Sequence, residues 1–295
     1  MATVSGGTTS ERFGFIQKYG QALGVRYFCE WLGVSRSGYY DWVKRKPSER
    51  AREDIGLSEK IRAIHFRSRY TYGSPRVHRS LRQAGISVGE KRVARLMREN
   101  GLKGRVVTVT RRAPRLRRFQ QDGENLRLGA PTPTECNEQW VADLTYIKVG
   151  EQYQHLITIM DVYSRRILGW SLCDNPTVDD VLPLLRRVIK KRRPSPGLIF
   201  HTDRGIECMA YAIQAELEKH GLRRSYNRLG YCTDNAHMES FYHSLKGELI
   251  RGRQFGSDKE LRLSLSSCID GFYNRTRLHS GIGYVSPINY ETSAA

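Results

Sequence analysis

Three apolar runs in close succession between residues 139 and 173 constrain the fold of this chain more than any other feature of its sequence. The runs are QWVADLTYIKV (139–149), YQHLITIMDVY (153–163) and RILGWSLC (166–173), and only a few residues separate each run from the next. Runs rich in β-branched and aromatic residues that are joined by such short turns are typical of neighbouring antiparallel strands. The sequence therefore predicts a three-stranded antiparallel meander.

The segment after the meander alternates between helical and strand patterns. The predicted elements are a helix from Thr177 to about Lys191, a strand over 197–203, a helix over 207–220, a strand over 222–227 and a helix over 235–250. An antiparallel meander followed by alternating helices and strands predicts an α/β fold, with a mixed five-stranded sheet flanked by helices. This order of elements is the one found in ribonuclease-H-like domains.

The first third of the chain has helical patterns instead. Residues 25–45 predict two short helices around a turn at Gly33, with Ser35 as the N-cap of the second helix. This layout is typical of a helix-turn-helix, although a generic αα-hairpin gives the same pattern. Three further helices are predicted over 57–68, 74–83 and 89–99. We expect an all-α, helix-turn-helix-like DNA-binding region over residues 1–101, with a trihelical unit as its second part.

Positive charge is concentrated in the first half of the chain. The net charge is +19, and residues 1–130 carry +17 of it while residues 131–295 carry +2. Such asymmetry favours a polyanionic partner, most simply nucleic acid, that the basic first half binds. The near-neutral second half is then expected to have a different role. The candidate DNA contacts are arginines that recur on two predicted helices or cluster after them: Arg76, Arg79, Arg82, Arg92, Arg95, Arg98, Arg111, Arg112 and Arg115.

Composition also sets the predicted domain boundaries and excludes several protein classes. Residues 102–135 are predicted to be a basic linker, because their arginine-rich stretch cannot pack a core. The ribonuclease-H-like core then covers 136–255, and a helical extension covers 256–295. No apolar run approaches the roughly 20 residues that span a bilayer. The six cysteines form no CxxC pair, which argues against a disulfide framework and a cysteine-based zinc site.

Three acidic residues occupy positions from which their carboxylates can meet. Asp143 lies in the middle of the first strand, Asp203 at the end of the fourth, and Glu239 in the first turns of a helix. The first and fourth strands are expected to lie side by side at the sheet centre. Two carboxylates about 4 Å apart repel by roughly 4 kcal/mol at an effective dielectric near 20, so a trio is expected to hold cations. Magnesium prefers such oxygen ligands, and two ions can promote an in-line phosphoryl displacement.

The choice of these three acids depends on their context, because the chain has 30 acidic residues and most are solvated or cap helices. Asp143 interrupts an apolar strand, where a lone acid is costly unless it is used. Lys246 follows Glu239 by seven residues, which is two helical turns, so both lie on the same helix face. Its ammonium group can hold a phosphate near the metal ions.

The same motifs resemble the DDE core shared by retroviral integrases and the transposases of bacterial insertion sequences. The resemblance lies in QWVADLTYI, in HTDRG (201–205) and in YNRLGYCTDNAHMESFYHSLKGEL (226–249), with the characteristic 35 residues between Asp203 and Glu239. The segments LGVSRSGYYDW and YGSPRVHRSLRQAGISVGEKRVARLMRENGL resemble the amino-terminal region of the OrfB-type product of two-frame insertion sequences. The tail FYNRTRLHSGIGYVSPINYE resembles the closing segment of these transposases.

This resemblance implies a DDE transposase that cleaves and joins DNA strands at the ends of an insertion sequence, by a copy-out, paste-in route. It implies that Asp143, Asp203 and Glu239 ligate two Mg²⁺ or Mn²⁺ ions. Lys246 would bind DNA near them, and His201 and Asn235 would support the site from behind.

The resemblance also implies the partners and the location. The partners are double-stranded DNA, at the terminal inverted repeats and at the target, and further copies of the chain in a homo-oligomeric synaptic complex. An upstream-frame protein, or fusion to it, is a further expected partner, because this chain shows no zipper pattern. Neither a secretory signal nor a membrane span is apparent, so we expect action in the bacterial cytoplasm, at the nucleoid.

Two other functions fit parts of the sequence. A tyrosine recombinase would use the HxxR pattern of His201 and Arg204 with a nucleophilic Tyr226 or Tyr231. The strand pattern around His201 disfavours it, because that motif belongs to a helical domain. A non-catalytic DNA-binding regulator of the element would show the same charge asymmetry, and metal-dependent strand transfer distinguishes it from a transposase.

Overall fold

The computed structural model describes residues 7–46, 48–105, 124–203, 211–228 and 232–294. The chain forms two compact units, Met1–Lys60 and Ile61–Ala295. The functional boundaries expected after residues 101, 135 and 255 remain predictions. No helix in the described part of the chain combines the length and the apolar character that a membrane crossing requires.

Three short helices build the core of the first unit. They are α1 (Thr9–Leu23), α2 (Val25–Leu32) and α3 (Arg36–Lys44). Gly33 ends α2 in the left-handed conformation, with φ of 65°, and Ser35 caps α3 by accepting a hydrogen bond from the Gly38 backbone N–H at 2.9 Å. The predicted pair of helices around Gly33 is thus confirmed. One apolar core joins the three helices: Phe13, Ile16, Phe28, Cys29, Leu32 and Tyr39.

The chain continues through α4 (Glu49–Arg67), α5 (Ser74–Gln83) and α6 (Glu90–Glu99). Pro75 lies in the first turn of α5, where its missing N–H would have no helical partner. The two shorter helices bury their apolar faces: Val77, Leu81, Val93, Leu96 and Met97. The helices predicted over 74–83 and 89–99 are confirmed, and the helix predicted over 57–68 is the second half of α4.

A mixed five-stranded sheet forms the centre of the second unit. Its strands are β1 (Gln139–Val149), β2 (Gln152–Asp161), β3 (Ile167–Cys173), β4 (Ile199–Thr202) and β5 (Arg223–Tyr226), in the spatial order β3-β2-β1-β4-β5. The first three strands pair antiparallel, whereas β4 pairs parallel to both β1 and β5. This is the predicted ribonuclease-H-like sheet, with β1 and β4 adjacent at its centre.

Helices cover both faces of the sheet. The helices α7 (Val178–Arg192) and α8 (Tyr211–Lys219) pack on one face, against a core that includes Trp140 and Ala142. The helices α9 (Ala236–Leu245) and α10 (Asp258–Ser266) pack on the other face, against Val141. Because successive residues of a strand alternate between faces, Asp143 lies on the same face as Val141, beneath α9.

The connections around the sheet differ from the prediction in two respects. The helix predicted over 235–250 is α9 followed by a wider π-helical turn, Lys246–Ile250. The predicted linker is in part packed on the second unit, because the Leu126 backbone N–H donates to Ser225 Oγ at 2.9 Å and the Tyr226 N–H donates to the Glu124 carbonyl at 3.0 Å. The polar, turn-rich sequence of this segment does not reveal these contacts.

The described residues after 256 are mainly helical. A second π-helical turn, Ser267–Tyr273, continues α10, and α11 (Pro287–Ala294) ends the described chain. Glu291 on α11 accepts hydrogen bonds from Arg166 and Arg192, which attaches this helix to the ends of β3 and α7. The extension therefore packs on the sheet by partly buried ionic contacts as well as apolar ones.

Candidate active site

Asp143 lies at the middle of the central strand, where the backbone fixes both its direction and its surroundings. It is paired with Thr158 of β2, and its half-buried carboxylate accepts a hydrogen bond from the Leu144 backbone N–H at 2.8 Å. The Tyr242 hydroxyl of α9 donates to the Asp143 backbone carbonyl at 2.6 Å. The strand position and the helix above it are therefore tied together at this residue.

Asp203 is brought beside Asp143 by the parallel pairing of β1 and β4. Ala142 and Thr202 are the last pair of that ladder. The residues that follow them, Asp143 and Asp203, therefore lie next to each other just beyond its end. Asp203 is half-buried. The carboxyl ends of adjacent parallel strands are a common location for active sites in α/β folds. The sheet thus places two of the three predicted acids side by side.

Glu239 belongs to the first turn of α9 and is exposed. The start of this helix is attached to β1, because the Asn235 side-chain amide donates to the Ala142 carbonyl at 3.3 Å. With the Tyr242 contact, the helix is held at both ends of the turn that carries Glu239. The third acid therefore lies over the same part of β1 as Asp143.

The electrostatics of Asp143 show that the three carboxyl groups influence one another. The pKa of Asp143 is raised to about 8, first by burial and then by the negative charges of Asp203 and Glu239, while the Leu144 N–H and the Lys246 ammonium act in the opposite direction. A carboxyl group with this pKa resists ionisation at neutral pH. A cation held between the carboxylates would relieve both the burial and the repulsion.

Lys246 lies at the same site, as the helix spacing predicts. It is half-buried at the start of the π-helical turn, and its Nζ atom lies 5.2 Å from the centroid of the Tyr146 ring. Burial lowers its pKa, and the nearby Asp143 carboxyl acts against that shift. An ammonium group beside an acidic cluster is suited to bind a phosphate oxygen there.

The carboxylate oxygens of the trio are not packed tightly together. Among the described residues, three potential ligand atoms within 4.8 Å of one another occur at Cys136, Asp161 and Glu291, and not at the predicted trio. That tight cluster is already neutralised by arginines, because Arg192 lies 2.9 Å from Glu291 and 4.0 Å from Asp161. A buried acidic pair with guanidinium partners has little need of a metal ion.

His201 and Asn235 lie behind the acids. The buried His201 ring bonds through its two nitrogens with Ser225 Oγ at 2.8 Å and Asn227 Oδ1 at 2.6 Å. Burial, with a smaller contribution from Arg127, lowers the pKa of His201 to about 4, so the ring is neutral. The Asn235 Oδ1 atom is buried and has no hydrogen-bond partner among the described residues. His201 thus connects β4 with β5 and the residues after it, and Asn235 connects the start of α9 with β1.

Comparison with known proteins identifies the family. Models described as integrase core domains match residues 133–232 and 220–287, and a model described as an HTH-like domain matches residues 51–110. Transposase InsF for insertion sequence IS3A from Escherichia coli is 33% identical over 286 residues, which cover 95% of this chain and 98% of that protein. The chain belongs to the InsF family of insertion-sequence transposases.

Other relatives agree with this assignment. An uncharacterized 31 kDa protein of insertion element IS600 from Shigella sonnei is 38% identical over 259 residues, which cover 88% of this chain and 95% of that protein. The family and its integrase core make the chain an enzyme of the DDE transposase and integrase class, as the sequence predicted. A tyrosine recombinase is disfavoured by this family and by the strand conformation of Ile199–Thr202, which contains His201.

Solved structures of viral integrases are also similar to this transposase. A chain of the simian T-cell lymphotropic virus intasome in complex with PP2A regulatory subunit B56 gamma gives a TM-score of 0.46 at 14% identity, covering 78% of this chain and 74% of that one. The HTLV-2 integrase catalytic core domain in complex with magnesium gives 0.42 at 15% identity, covering 54% and 98%. The fold assignment itself rests on the strand order.

The predicted DNA-contacting arginines of α5 have partners within the transposase. Arg76 is half-buried, and its Nε donates to the Leu278 carbonyl at 3.0 Å, while its guanidinium lies 5.8 Å from the centroid of the Tyr72 ring. The Arg79 guanidinium lies 5.7 Å from the centroid of the Tyr284 ring. Part of the basic ridge of α5 therefore packs on the C-terminal segment of the same unit.

The remaining predicted arginines differ in exposure. Arg82 and Arg98 are exposed, Arg92 is half-buried, and Arg95 pairs with Glu99 at 2.9 Å. The three linker arginines lie outside the described residues: Arg111, Arg112 and Arg115. The role of all these arginines in DNA binding remains a prediction.

Sequence reasoning missed two polar residues that support this site. Besides the Asp143 carbonyl, the Tyr242 hydroxyl contacts Thr158 Oγ1 at 2.7 Å. The buried Arg277 pairs with Glu248 at 2.6 Å, which attaches the π-helical turn after Lys246 to the C-terminal segment. The helical spacing of apolar residues along α9 could have indicated that Tyr242 faces the sheet. No local sequence signal connects residues 248 and 277.

Proposed function

We propose that this transposase cleaves and joins DNA strands at the ends of its insertion sequence, with Asp143, Asp203 and Glu239 holding two divalent cations, Mg²⁺ or Mn²⁺. The observation that supports this proposal is the mutual influence of the three carboxyl groups, seen in the raised pKa of Asp143. Three hard oxygen donors fit Mg²⁺, which binds few carboxylates and keeps positions for water and phosphate.

The residues of the chain have separate tasks in this reaction. The three acids would be the metal ligands, and when bound, a pair of cations activates the attacking hydroxyl and stabilises the leaving oxygen. Lys246 would hold a phosphate of the DNA backbone beside them. His201 and Asn235 would keep β1, β4 and α9 in place, since both are buried among these elements.

We further propose double-stranded DNA as the partner, at the element ends and at the target, with several copies of the chain in the complex that pairs the two ends. The net charge of +17 over residues 1–130 supports the DNA contact. Water or a DNA 3′-hydroxyl would be the nucleophile. Such a reaction takes place on cellular DNA, in the bacterial cytoplasm.

Strand transfer tests this proposal directly. The assay uses labelled DNA that carries the ends of the element encoding this chain, with Mg²⁺, and it compares the wild type with Asp203→Asn. We expect product from the wild type and none from the variant, because an amide is a far weaker metal ligand than a carboxylate.

The matched control is Asp179→Asn, which changes an exposed acid on α7, on the opposite sheet face, and should leave activity intact. Both variants should bind the DNA as the wild type does. Equal product from Asp203→Asn and wild type would contradict the metal mechanism. Binding without product in all three proteins would favour the non-catalytic regulator, which has the same charge asymmetry.

A further inference from the structure

A tight turn between β2 and β3 fixes the position of an arginine near α9. The Asp161 carboxylate accepts hydrogen bonds from the Ser164 N–H at 2.9 Å and the Asn137 N–H at 2.8 Å. The Arg165 N–H donates to the Asp161 carbonyl at 2.9 Å, and Arg165 has a left-handed φ of 61°. Such a conformation is unfavourable for an arginine and persists only where the surroundings determine it.

The guanidinium of Arg165 lacks a complete set of acceptors. Its Nη1 atom is buried and has no hydrogen-bond partner among the described residues. The Asp161 carboxylate, four residues earlier, already accepts hydrogen bonds from Ser164 and Asn137 and lies 4.0 Å from Arg192. A buried donor on a charged group that lacks an acceptor destabilises the fold and calls for an explanation.

The groups around Arg165 are also hydrogen-bond donors. Tyr273 is 5% exposed, and its hydroxyl has no partner among the described residues. The His279 ring lies edge-on to the Tyr273 ring, with centroids 6.2 Å apart. His279 Nδ1 accepts a hydrogen bond from the Gly281 N–H at 3.2 Å, so the neutral ring carries its hydrogen on Nε2.

Positive charge around Arg165 affects the pKa of the neighbouring His279. The pKa of His279 is lowered to about 4, first by burial and then by the charges of Arg277, Arg165 and Arg76. Of the acids that act on these groups, Asp161 attracts Arg165 electrostatically but has Ser164, Asn137 and Arg192 as closer partners, and Glu248 is paired with Arg277. A guanidinium, a hydroxyl and an imidazole N–H thus share one region whose charge is not neutralised by their contacts.

We propose that Arg165, Tyr273 and His279 form a binding pocket for a phosphate oxyanion, and that its ligand is a phosphate of the DNA backbone. Donors without acceptors around a fixed positive charge match the several acceptor oxygens of a phosphate. The pocket adjoins α9, because His237, two residues before Glu239, lies within electrostatic reach of both Arg165 and His279. This inference rests on the proposed function, and it adds a DNA contact on the side of α9 that faces away from Lys246.

The experiment measures DNA affinity in EDTA, where no cleavage takes place. The full-length chain is titrated into a fluorescein-labelled duplex of about 30 base pairs over a series of salt concentrations. The variants are Arg165→Gln and Tyr273→Phe, and the matched control is Arg187→Gln, which removes one positive charge from an exposed position on the opposite face of the sheet.

We expect Arg165→Gln to weaken binding about tenfold or more, because hydrogen bonds to charged groups are strong. The dependence of log Kd on log salt should become shallower by about 0.9, the loss of one phosphate contact. Tyr273→Phe should weaken binding by a smaller factor. The melting temperature without DNA should not fall in either variant, since both remove donors without acceptors.

Three results would overturn the proposal. The first is that Arg165→Gln and Arg187→Gln bind the duplex equally at every salt concentration. The second is a lower melting temperature of Arg165→Gln with unchanged DNA affinity, which would make Arg165 a structural residue. The third is stabilisation of the wild type by inorganic phosphate, lost in Arg165→Gln, with duplex binding unaffected, which would assign the pocket to free phosphate.

The outcome is separable from that of the proposed function. Strand transfer by Asp203→Asn tests the metal site, whereas metal-free duplex binding tests the pocket. Normal binding by Arg165→Gln, together with inactivity of Asp203→Asn, would refute the pocket alone.

Discussion

Replacing Asp143 with asparagine should stabilise the metal-free transposase. The pKa of Asp143 is about 8 in the folded chain against an ordinary value of 3.8, a difference that corresponds to about 6 kcal/mol at most. Glu239 is exposed and can turn away, which relieves part of the repulsion. We therefore expect Asp143→Asn to raise the free energy of unfolding by at least about 2 kcal/mol at pH 9.

The pH dependence of this effect has a definite sign. Because the pKa of Asp143 is raised on folding, the folded state binds the proton more tightly than the unfolded state does. Below about pH 4 the carboxyl group is protonated in both states and does not lower the free energy of unfolding. As the pH rises, ionisation of the unfolded state lowers that free energy, and the loss is complete above about pH 8. The stability difference between variant and wild type should therefore be larger at pH 9 than at pH 5.

Urea unfolding in EDTA at pH 5, 7 and 9 measures this difference. The control is Glu151→Gln, which changes an almost fully exposed acid in the neighbouring turn and should shift stability little. Mg²⁺ should stabilise the wild type, since a ligand stabilises the state that binds it, and should thereby reduce the difference in free energy of unfolding between the wild type and Asp143→Asn. A variant that is less stable than the wild type at pH 9, or a gap that does not change with pH, would refute this reasoning.

Three further substitutions test the supports of the site by urea unfolding. Tyr242→Phe should cost about 1 to 3 kcal/mol, because it leaves buried acceptors on β1 and β2 without their donor; an unchanged midpoint would contradict these contacts. Arg277→Met should cost about 3 to 5 kcal/mol by leaving Glu248 unpaired, and adding Glu248→Gln should recover part of the loss. Gly169→Ala should cost about 1 to 3 kcal/mol, because its methyl group would lie 2.8 and 2.9 Å from side-chain carbons of α7. A stable Gly169→Ala variant would show that α7 can move away from β3.

The sheet and the acids could be predicted because their signals are local. Apolar runs rich in β-branched and aromatic residues mark the strands, and short turns indicate the antiparallel order of the first three. The adjacency of β1 and β4 follows from that order together with the resemblance to a known core. Asp143 was recognisable because an acid in an apolar strand is costly.

Other features depend on contacts that the sequence does not display. Helix α1 was not predicted because its amphipathic pattern is weak, although Thr8 and Glu11 form a capping box that signals its start. The helix pattern predicts a DNA contact for Arg76, but it does not reveal that the Arg76 guanidinium donates to the carbonyl of Leu278, which is 202 residues away. A basic ridge on a helix has the same sequence pattern whether it faces solvent, DNA or another segment.

The position of α9 connects the acidic site with the proposed phosphate pocket. One stripe of the helix is buried against the sheet and includes Met238, Phe241 and Tyr242. Glu239 and Lys246 lie on the side of this stripe that faces Asp143, whereas His237 lies within reach of Arg165. A duplex that contacts both sides of α9 would meet a site that needs cations on one side and a site that supplies positive charge on the other. The acids alone would repel DNA, so a nearby fixed positive charge that requires no metal ion would let the transposase hold its substrate before the cations bind.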